Sequence, residues 1–260
     1  MPNIDKHPAG AFCWVELGTP DQGAAKSFYS SLFGWNANDM PMGPDEHYTI
    51  FQLQERDAAA GYTLRPERSP GVPPHWMPYI AVSSADEAAA RAEQAGGKVL
   101  AQPFDVFDAG RMAVVQDPTG AIFSLWQPKS NQGIGIAGAD GTLCWVDLVT
   151  GDAERARRFY SDVFHWQIMP GENDPSGYLH IKNGEAFIGG IPPAGPQPGV
   201  PPHWLLYFLT SNCDASVDKA KSLGARILYG PETMKNVGRW AVVADPQGAV
   251  FAVFQPVPHG

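Results

Sequence analysis

The stretch Phe12-Cys-Trp-Val-Glu-Leu-Gly-Thr-Pro-Asp21 occurs a second time as Leu143-Cys-Trp-Val-Asp-Leu-Val-Thr-Gly-Asp152. Working outward, Phe28-Tyr-Ser-Ser-Leu-Phe-Gly-Trp35 returns as Phe159-Tyr-Ser-Asp-Val-Phe-His-Trp166 at the same offset of 131. Gly71-Val-Pro-Pro-His-Trp76 returns as Gly199-Val-Pro-Pro-His-Trp204, and Gly110–Pro128 as Gly238–Pro256, both at an offset of 128. Identities are 12 of 24 over residues 12–35, 7 of 12 over 71–82 and 12 of 19 over 110–128, far more than unrelated segments share. The change of offset places a three-residue deletion in the second copy, between Trp166 and Gly199. The chain therefore reads as two tandem homologous domains, 11–128 and 142–256. The linker is Lys129–Gly141, a run of Asn, Gly, Ser and Ala.

Each copy carries the same element signals. Phe12–Leu17 is a short apolar run with Glu16 inside it, hence a strand, and Ala24, Ala25, Phe28, Tyr29, Leu32 and Phe33 follow at helical spacing. Asp21 stands at the N-cap position and Gly34 at C′. Strands are expected at Tyr48–Leu53, Ala58–Leu64 and Trp76–Val82, a helix at Ala85–Ala95 stopped by Gly96-Gly97, and strands again at Val99–Leu100, Met112–Gln116 and Ala121–Leu125. The last two are joined by Asp117-Pro118-Thr119-Gly120, turn chemistry at every position. The order is a βαβββ unit twice per copy, four units in all. The fold class is α+β.

Composition narrows function. The chain has 260 residues, two domains' worth, and a core this size needs no disulfide staple. Three Cys with no C-x-x-C pair form no framework. Apolar runs such as Trp204–Leu209 are strand-sized, and Met1–Gly10 has no apolar core of a secretion signal, so a cytoplasmic protein without membrane association is expected. A net charge of −9 without a Lys/Arg cluster argues against nucleic acid. A small-molecule ligand is the expected partner, with the chain a monomer or homodimer. No phosphate loop, nucleophile elbow or dinucleotide fingerprint occurs.

These residues resemble a known family. The Asp seven residues before Phe-Tyr, the Leu-Phe-Gly-Trp that follows and the late Asp-Pro-x-Gly-x-x-Phe strand are similar to the vicinal-oxygen-chelate superfamily, which holds glyoxalase I, extradiol dioxygenases, fosfomycin-resistance enzymes and bleomycin-binding proteins. Cys-Trp-Val-(Glu/Asp)-Leu and Gly-Val-Pro-Pro-His-Trp resemble tandem glyoxalase-like proteins in particular. The resemblance implies paired βαβββ units curling each sheet into an open cup around a ligand. It also implies where a catalytic metal would be held: His or Gln on the first strand, His after the mid-domain loop, and Glu on the fourth and last strands. Those places fall at Trp14, Met77, Gly61 and Ser124 in the first copy and at Trp145, Leu205, Gly190 and Ala252 in the second. No usual ligand stands at any of them, so no cofactor is expected. Glu16 with His75, each two residues from its expected place, leaves room only for a weakly held divalent ion.

Glu16 and Asp147 are the leading chemical candidates, because an acid inside an apolar strand is costly unless paired. By strand alternation they share the cup face with Trp14 and Trp145, while Cys13, Val15 and Leu17 take the helix side with Cys144. The functional reading is a general base or hydrogen-bond acceptor. The alternative is a structural partner for the recurring Arg111 or Arg239. His75 and His203, set up by the preceding Pro pair, are either bases at the mouth of the cup or strand-start residues bonded to a loop carbonyl. The catalytic candidates are thus Glu16, His75, Arg111, Asp147, His203 and Arg239. The cup lining expected from the resemblance is Trp14, Met77, Tyr79, Ser124, Trp126, Trp145, Tyr207 and Phe254. The reading is a glyoxalase- or bleomycin-resistance-like protein that binds or transforms a small organic molecule in a Trp-lined cup. Its alternatives are a metal-dependent lyase or dioxygenase with a non-standard site, and a resistance protein that sequesters a drug.

Overall fold

The computed structural model describes residues 3–44, 46–68, 70–171 and 175–257. The first repeat forms β1 (Phe12–Thr19), α1 (Gln22–Phe33), β2 (Asn36–Gly43), β3 (Glu46–Leu53), β4 (Arg56–Thr63), β5 (His75–Ala81), α2 (Ala85–Gln94), β6 (Lys98–Val106), β7 (Gly110–Gln116) and β8 (Ile122–Pro128). The second forms β9 (Leu143–Val149), α3 (Ala153–Phe164), β10 (Gln167–Pro170), β11 (Leu179–Asn183), β12 (Ala186–Ile191), β13 (His203–Leu209), α4 (Cys213–Ser222), β14 (Arg226–Met234), β15 (Gly238–Ala244) and β16 (Val250–Pro256). Each repeat builds its own eight-stranded sheet, ordered β2-β3-β4-β1-β5-β8-β7-β6 and β10-β11-β12-β9-β13-β16-β15-β14. The first strand of each unit sits mid-sheet: β1 runs antiparallel to β5, with β4 parallel to β1 and β8 parallel to β5. The sheets are curved and not closed. The α+β class and the four βαβββ units follow the sequence pattern.

Local chemistry sets the helix ends. Asp21 caps α1 by accepting from the Ala24 N–H, and Gly34 ends it in the left-handed region at φ 74°. In the second copy Asp152 caps α3 in the same way, but the left-handed position falls to His165, φ 61°. The strands β2 and β10 have no counterpart in the sequence reading. Asn36–Gly43 is almost wholly exposed and pairs only with β3, so it lies at a sheet edge where no apolar alternation is required.

One face of each sheet packs with the four helices into a core shared by both repeats. Trp35 and Trp166, each 2% exposed, lie at its centre. The sharing is reciprocal. Tyr29 on α1 donates to Asp245 in the second repeat's Asp-Pro-x-Gly turn at 2.9 Å, and Tyr160 on α3 donates to Asp117 in the first repeat's turn at 2.9 Å. The Trp35 indole donates to Gly141 O, and Trp166 to Gly10 O. Each turn aspartate also accepts three backbone N–H groups of its own turn. The Asp-Pro-x-Gly motif therefore makes a turn and also bolts that turn to the other repeat's helix.

Candidate functional site

The other face of each sheet carries an acid at its centre. Glu16 pairs across β5 with Met77, so its side chain stands on the face away from Val15 and Leu17, which enter the shared core. Tyr48 of β3 donates to Glu16 Oε1 at 2.6 Å and Tyr79 of β5 to Oε2 at 2.8 Å; the Trp14 indole N–H donates to the Tyr48 hydroxyl at 3.0 Å. The second repeat rebuilds the arrangement around a shorter acid. Tyr178 donates to Asp147 Oδ1 at 2.5 Å and Tyr207 to Oδ2 at 2.8 Å. The Trp145 indole reaches both Asp147 Oδ1, at 3.0 Å, and the Tyr178 hydroxyl, at 2.7 Å.

Both carboxyls are pushed above the ordinary carboxylate range. Burial is the dominant cause and outweighs the tyrosine hydrogen bonds, which favour the ionised form. The tyrosines respond in kind: burial, then the adjacent carboxylate, raises Tyr48, Tyr79, Tyr178 and Tyr207. The phenols remain donors, and each acid keeps its proton to a higher pH than an ordinary carboxyl. Glycine gives the second cluster its room. A Cβ on Gly190, which pairs with Asp147, would collide with the Tyr178 hydroxyl.

Of the remaining candidates, Tyr79 and Tyr207 donate to the acids directly, as does the Trp145 indole to Asp147, whereas the Trp14 indole reaches Glu16 only by way of Tyr48. Met77, Trp126 and Ser124 surround the first cluster, while Phe254 packs in the second. The Ser124 hydroxyl is buried with no hydrogen-bond partner. His75 sits opposite Gly18, one step along the same face from Glu16, roughly 7 Å away by strand spacing. Its Nδ1 engages Pro73 O at 2.9 Å, as His203 engages Pro201 O at 2.9 Å, the loop-carbonyl arrangement. Burial lowers the His75 pKa.

Two expectations are corrected. Arg111 and Arg239 are neither in the cups nor partners of the acids. They face the helices beside Ala113 and Ala241 and form two-pronged ion pairs with Asp86 and Asp214 in the first turns of α2 and α4, so they fasten helix to sheet. Cys13 and Cys144 do not share the helix side with Val15. The ladder slips at each of them, so Phe12 pairs with Ile80 but Trp14 with Tyr79, and Leu143 pairs with Phe208 but Trp145 with Tyr207. The bulge breaks the two-residue period and turns both thiols toward the cup clusters. Burial pushes the Cys144 thiol up to about 12.

Sequence reasoning missed Tyr48 and Tyr178, which supply two of the four phenol hydrogen bonds to the carboxyls. The signal was present, a tyrosine 130 residues apart in both copies, but the two lie in the segment where the offset changes. It also missed Trp240, whose ring lies 6.0 Å from Tyr207 and 4.9 Å from Tyr229.

The donor set does not suit a divalent metal. All four carboxylate oxygens already accept from phenols, and Trp14, Gly61, Met77 and Ser124 stand where the resemblance placed ligands. Among the described residues no group of three or more His, Cys, Asp or Glu could hold a metal ion. No helix among them is long and apolar enough to cross a membrane.

Comparison with known proteins places the geometry in a family. The description "Glyoxalase/Bleomycin resistance protein/Dioxygenase superfamily" matches residues 11–125 and 142–253. CFP32 of Mycobacterium tuberculosis, which carries glyoxylase in its name, is 39% identical over 265 residues, covering 100% of both chains. The anthracycline biosynthesis protein DnrV of Streptomyces peucetius is 35% identical over 262 residues, covering 95% of this chain and 93% of its own. Among solved structures, the Mn(II)-bound glyoxalase from Novosphingobium aromaticivorans aligns with a TM-score of 0.66 at 17% identity, over 96% of this chain and 83% of that one. The 2,3-dioxygenase LapB from Pseudomonas sp. KL28 aligns at 0.65 and 13%, over 97% and 94%. At these identities the two structures attest the fold alone.

Proposed function

The chain belongs to the glyoxalase/bleomycin resistance protein/dioxygenase superfamily, and from that premise we propose that it binds a small organic molecule on its curved sheets, held through tyrosine–carboxyl–tyrosine clusters in place of the superfamily's metal. The observation that carries the reading is the pair of strand acids, half-buried Glu16 and buried Asp147, each held by two phenols with an indole beside them. Such a cluster can turn a hydroxyl toward a ligand carbonyl or accept from a ligand hydroxyl, and the surrounding rings supply apolar surface. The name of the relative DnrV accords with a fused-ring ligand. The raised carboxyls favour a second reading, proton transfer to or from a carbonyl compound bound beside them.

The test is a fluorescence titration of the metal-stripped full chain, whose eight tryptophans report on ring stacking, with a hydroxyanthraquinone such as 1,4-dihydroxyanthraquinone. Binding without added metal is expected, weakened at least tenfold by the Glu16→Ala, Asp147→Ala double variant; a tenfold loss is about 1.4 kcal/mol, the size of one lost hydrogen bond. Binding that requires added Mn(II), or that ignores the double variant, overturns the reading.

A further inference from the structure

The two cups differ in what covers the rings at one end of the sheet. In the first, Trp14 and Trp126 are 4% and 6% exposed, and Cys13, Tyr79 and Ser124 are buried with them. The cover comes from the linker. Asn131 is tied to the β6–β7 turn through its N–H to Ala109 O, and its own carbonyl accepts the Trp126 indole at 3.0 Å. Ile134 is tied to β1 through its N–H to Cys13 O at 2.8 Å, and its buried side chain is part of the aromatic cluster. Gly133 passes so close to Cys13 O that a Cβ there would collide with it. Residues 131–134 thus form a strap across the end of the sheet where β1 begins and β8 ends.

In the second cup the rings corresponding to Trp14 and Trp126 are less covered. Trp145, Trp240 and Phe254 are half-buried, and among the described residues every member of the cluster around Tyr207 comes from the sheet's own strands β9, β13, β15 and β16. Repeat divergence widens the aromatic surface at the same end. Trp240 stands where the first copy has Met112, and Tyr229, 47% exposed, stands where it has Ala101 and packs on Trp240. Tyr207, whose hydroxyl holds Asp147, lies between Trp240 and Phe254 at ring distances of 6.0 and 6.5 Å. A row of rings that the described residues leave half-buried, leading to a buried hydrogen-bonding acid, fits a flat aromatic compound with an oxygen at one edge.

We propose that the second cup alone takes the ligand, a planar aromatic compound bearing a hydroxyl or carbonyl oxygen, with its rings on Trp240 and Phe254 and its oxygen toward Tyr207 and Asp147, while the linker strap keeps the first cup filled. The proposal rests on the functional reading above and adds stoichiometry, location and ligand class. Equilibrium titration of the full chain with 1,4-dihydroxyanthraquinone tests it. One molecule per chain is expected, with affinity lowered about tenfold by Trp240→Ala and changed less than twofold by Met112→Ala at the equivalent place in the first cup. Tyr229→Ala, on the exposed rim, repeats the test should Trp240→Ala fail to fold. Two molecules per chain, an effect of Met112→Ala beyond twofold, or indifference to both second-cup variants overturns the proposal and leaves the functional reading standing. No binding to the intact chain removes both.

Discussion

Replacing Tyr160 by Phe removes one oxygen at the junction of the two repeats and so measures how far they depend on each other. That hydroxyl donates to Asp117 at 2.9 Å and accepts from the Trp204 indole at 3.2 Å, in surroundings with no water access. A hydrogen bond to a charged acceptor contributes about 1.5–3 kcal/mol, and a buried indole N–H left unpaired costs roughly 1–3 kcal/mol more. Partial relaxation lowers the sum, so a loss of about 2–4 kcal/mol is expected. Tyr29→Phe is the matched experiment, because Tyr29 donates to Asp245 at 2.9 Å and accepts from Trp76 at 3.0 Å. The assay is urea unfolding followed by tryptophan fluorescence and by circular dichroism. With an m-value of about 3 kcal/mol/M, each variant moves the midpoint down by roughly 1 M. Because the core is shared, both probes should report one transition in the wild type and in both variants. Losses under about 0.5 kcal/mol, or two transitions of which each variant shifts only one, would refute the reciprocal lock.

His165→Gly should raise stability by about 0.5–1 kcal/mol in the same assay, since His165 holds φ 61° at the position where the first repeat has Gly34. Asp147 carries a pKa raised above its ordinary 3.8, so the folded state holds the proton longer than the unfolded one. Its contribution is fully present below about pH 3.8 and is lost as pH rises through the folded value. The stability of the wild type relative to Asp147→Asn should therefore fall as pH is raised from 3.8 toward neutrality, and a difference that stays flat or rises contradicts the burial argument.

The fold was legible because its main signals are local and duplicated. The helical spacing of Phe28, Tyr29 and Leu32, the Asp21 cap and the Asp117-Pro-Thr-Gly turn each specify their element without long-range information. The position of Glu16 was legible too, because strand alternation holds from Trp14 to Leu17. Alternation fails one residue earlier, where the slip at Cys13 adds a residue that no pattern of hydrophobicity announces. The partners of the acid were illegible for a different reason. Tyr48 reaches Glu16 only because β3 and β4 lie beside β1, and that adjacency belongs to sheet order, which composition does not encode. Arg111 misled because recurrence in both copies marks constraint without saying whether the constraint is a site or a fastening.

The pattern of what recurs and what does not has a physical basis in the pseudo-symmetric core. Tyr29, Trp35, Trp76, Asp117 and Phe123 return as Tyr160, Trp166, Trp204, Asp245 and Phe251, and all ten are buried. Each of these residues meets the other repeat. A change in one copy therefore leaves an unpaired group or a cavity facing the opposite copy, and close packing makes that expensive. Among the described residues the cup clusters have a single such partner, Leu143 against the first. On the cup faces Gly18 is answered by Val149, Ile50 by His180, Met112 by Trp240, Ser124 by Ala252 and Trp126 by Phe254, while the acid, its two tyrosines and the neighbouring Cys-Trp pair are kept in kind. Duplication thus joins the two copies through a surface that has to stay alike and leaves each sheet a face free to diverge. The strap over the first cup and the widened aromatic row of the second are the form that divergence takes, and the one-ligand proposal above rests on that difference.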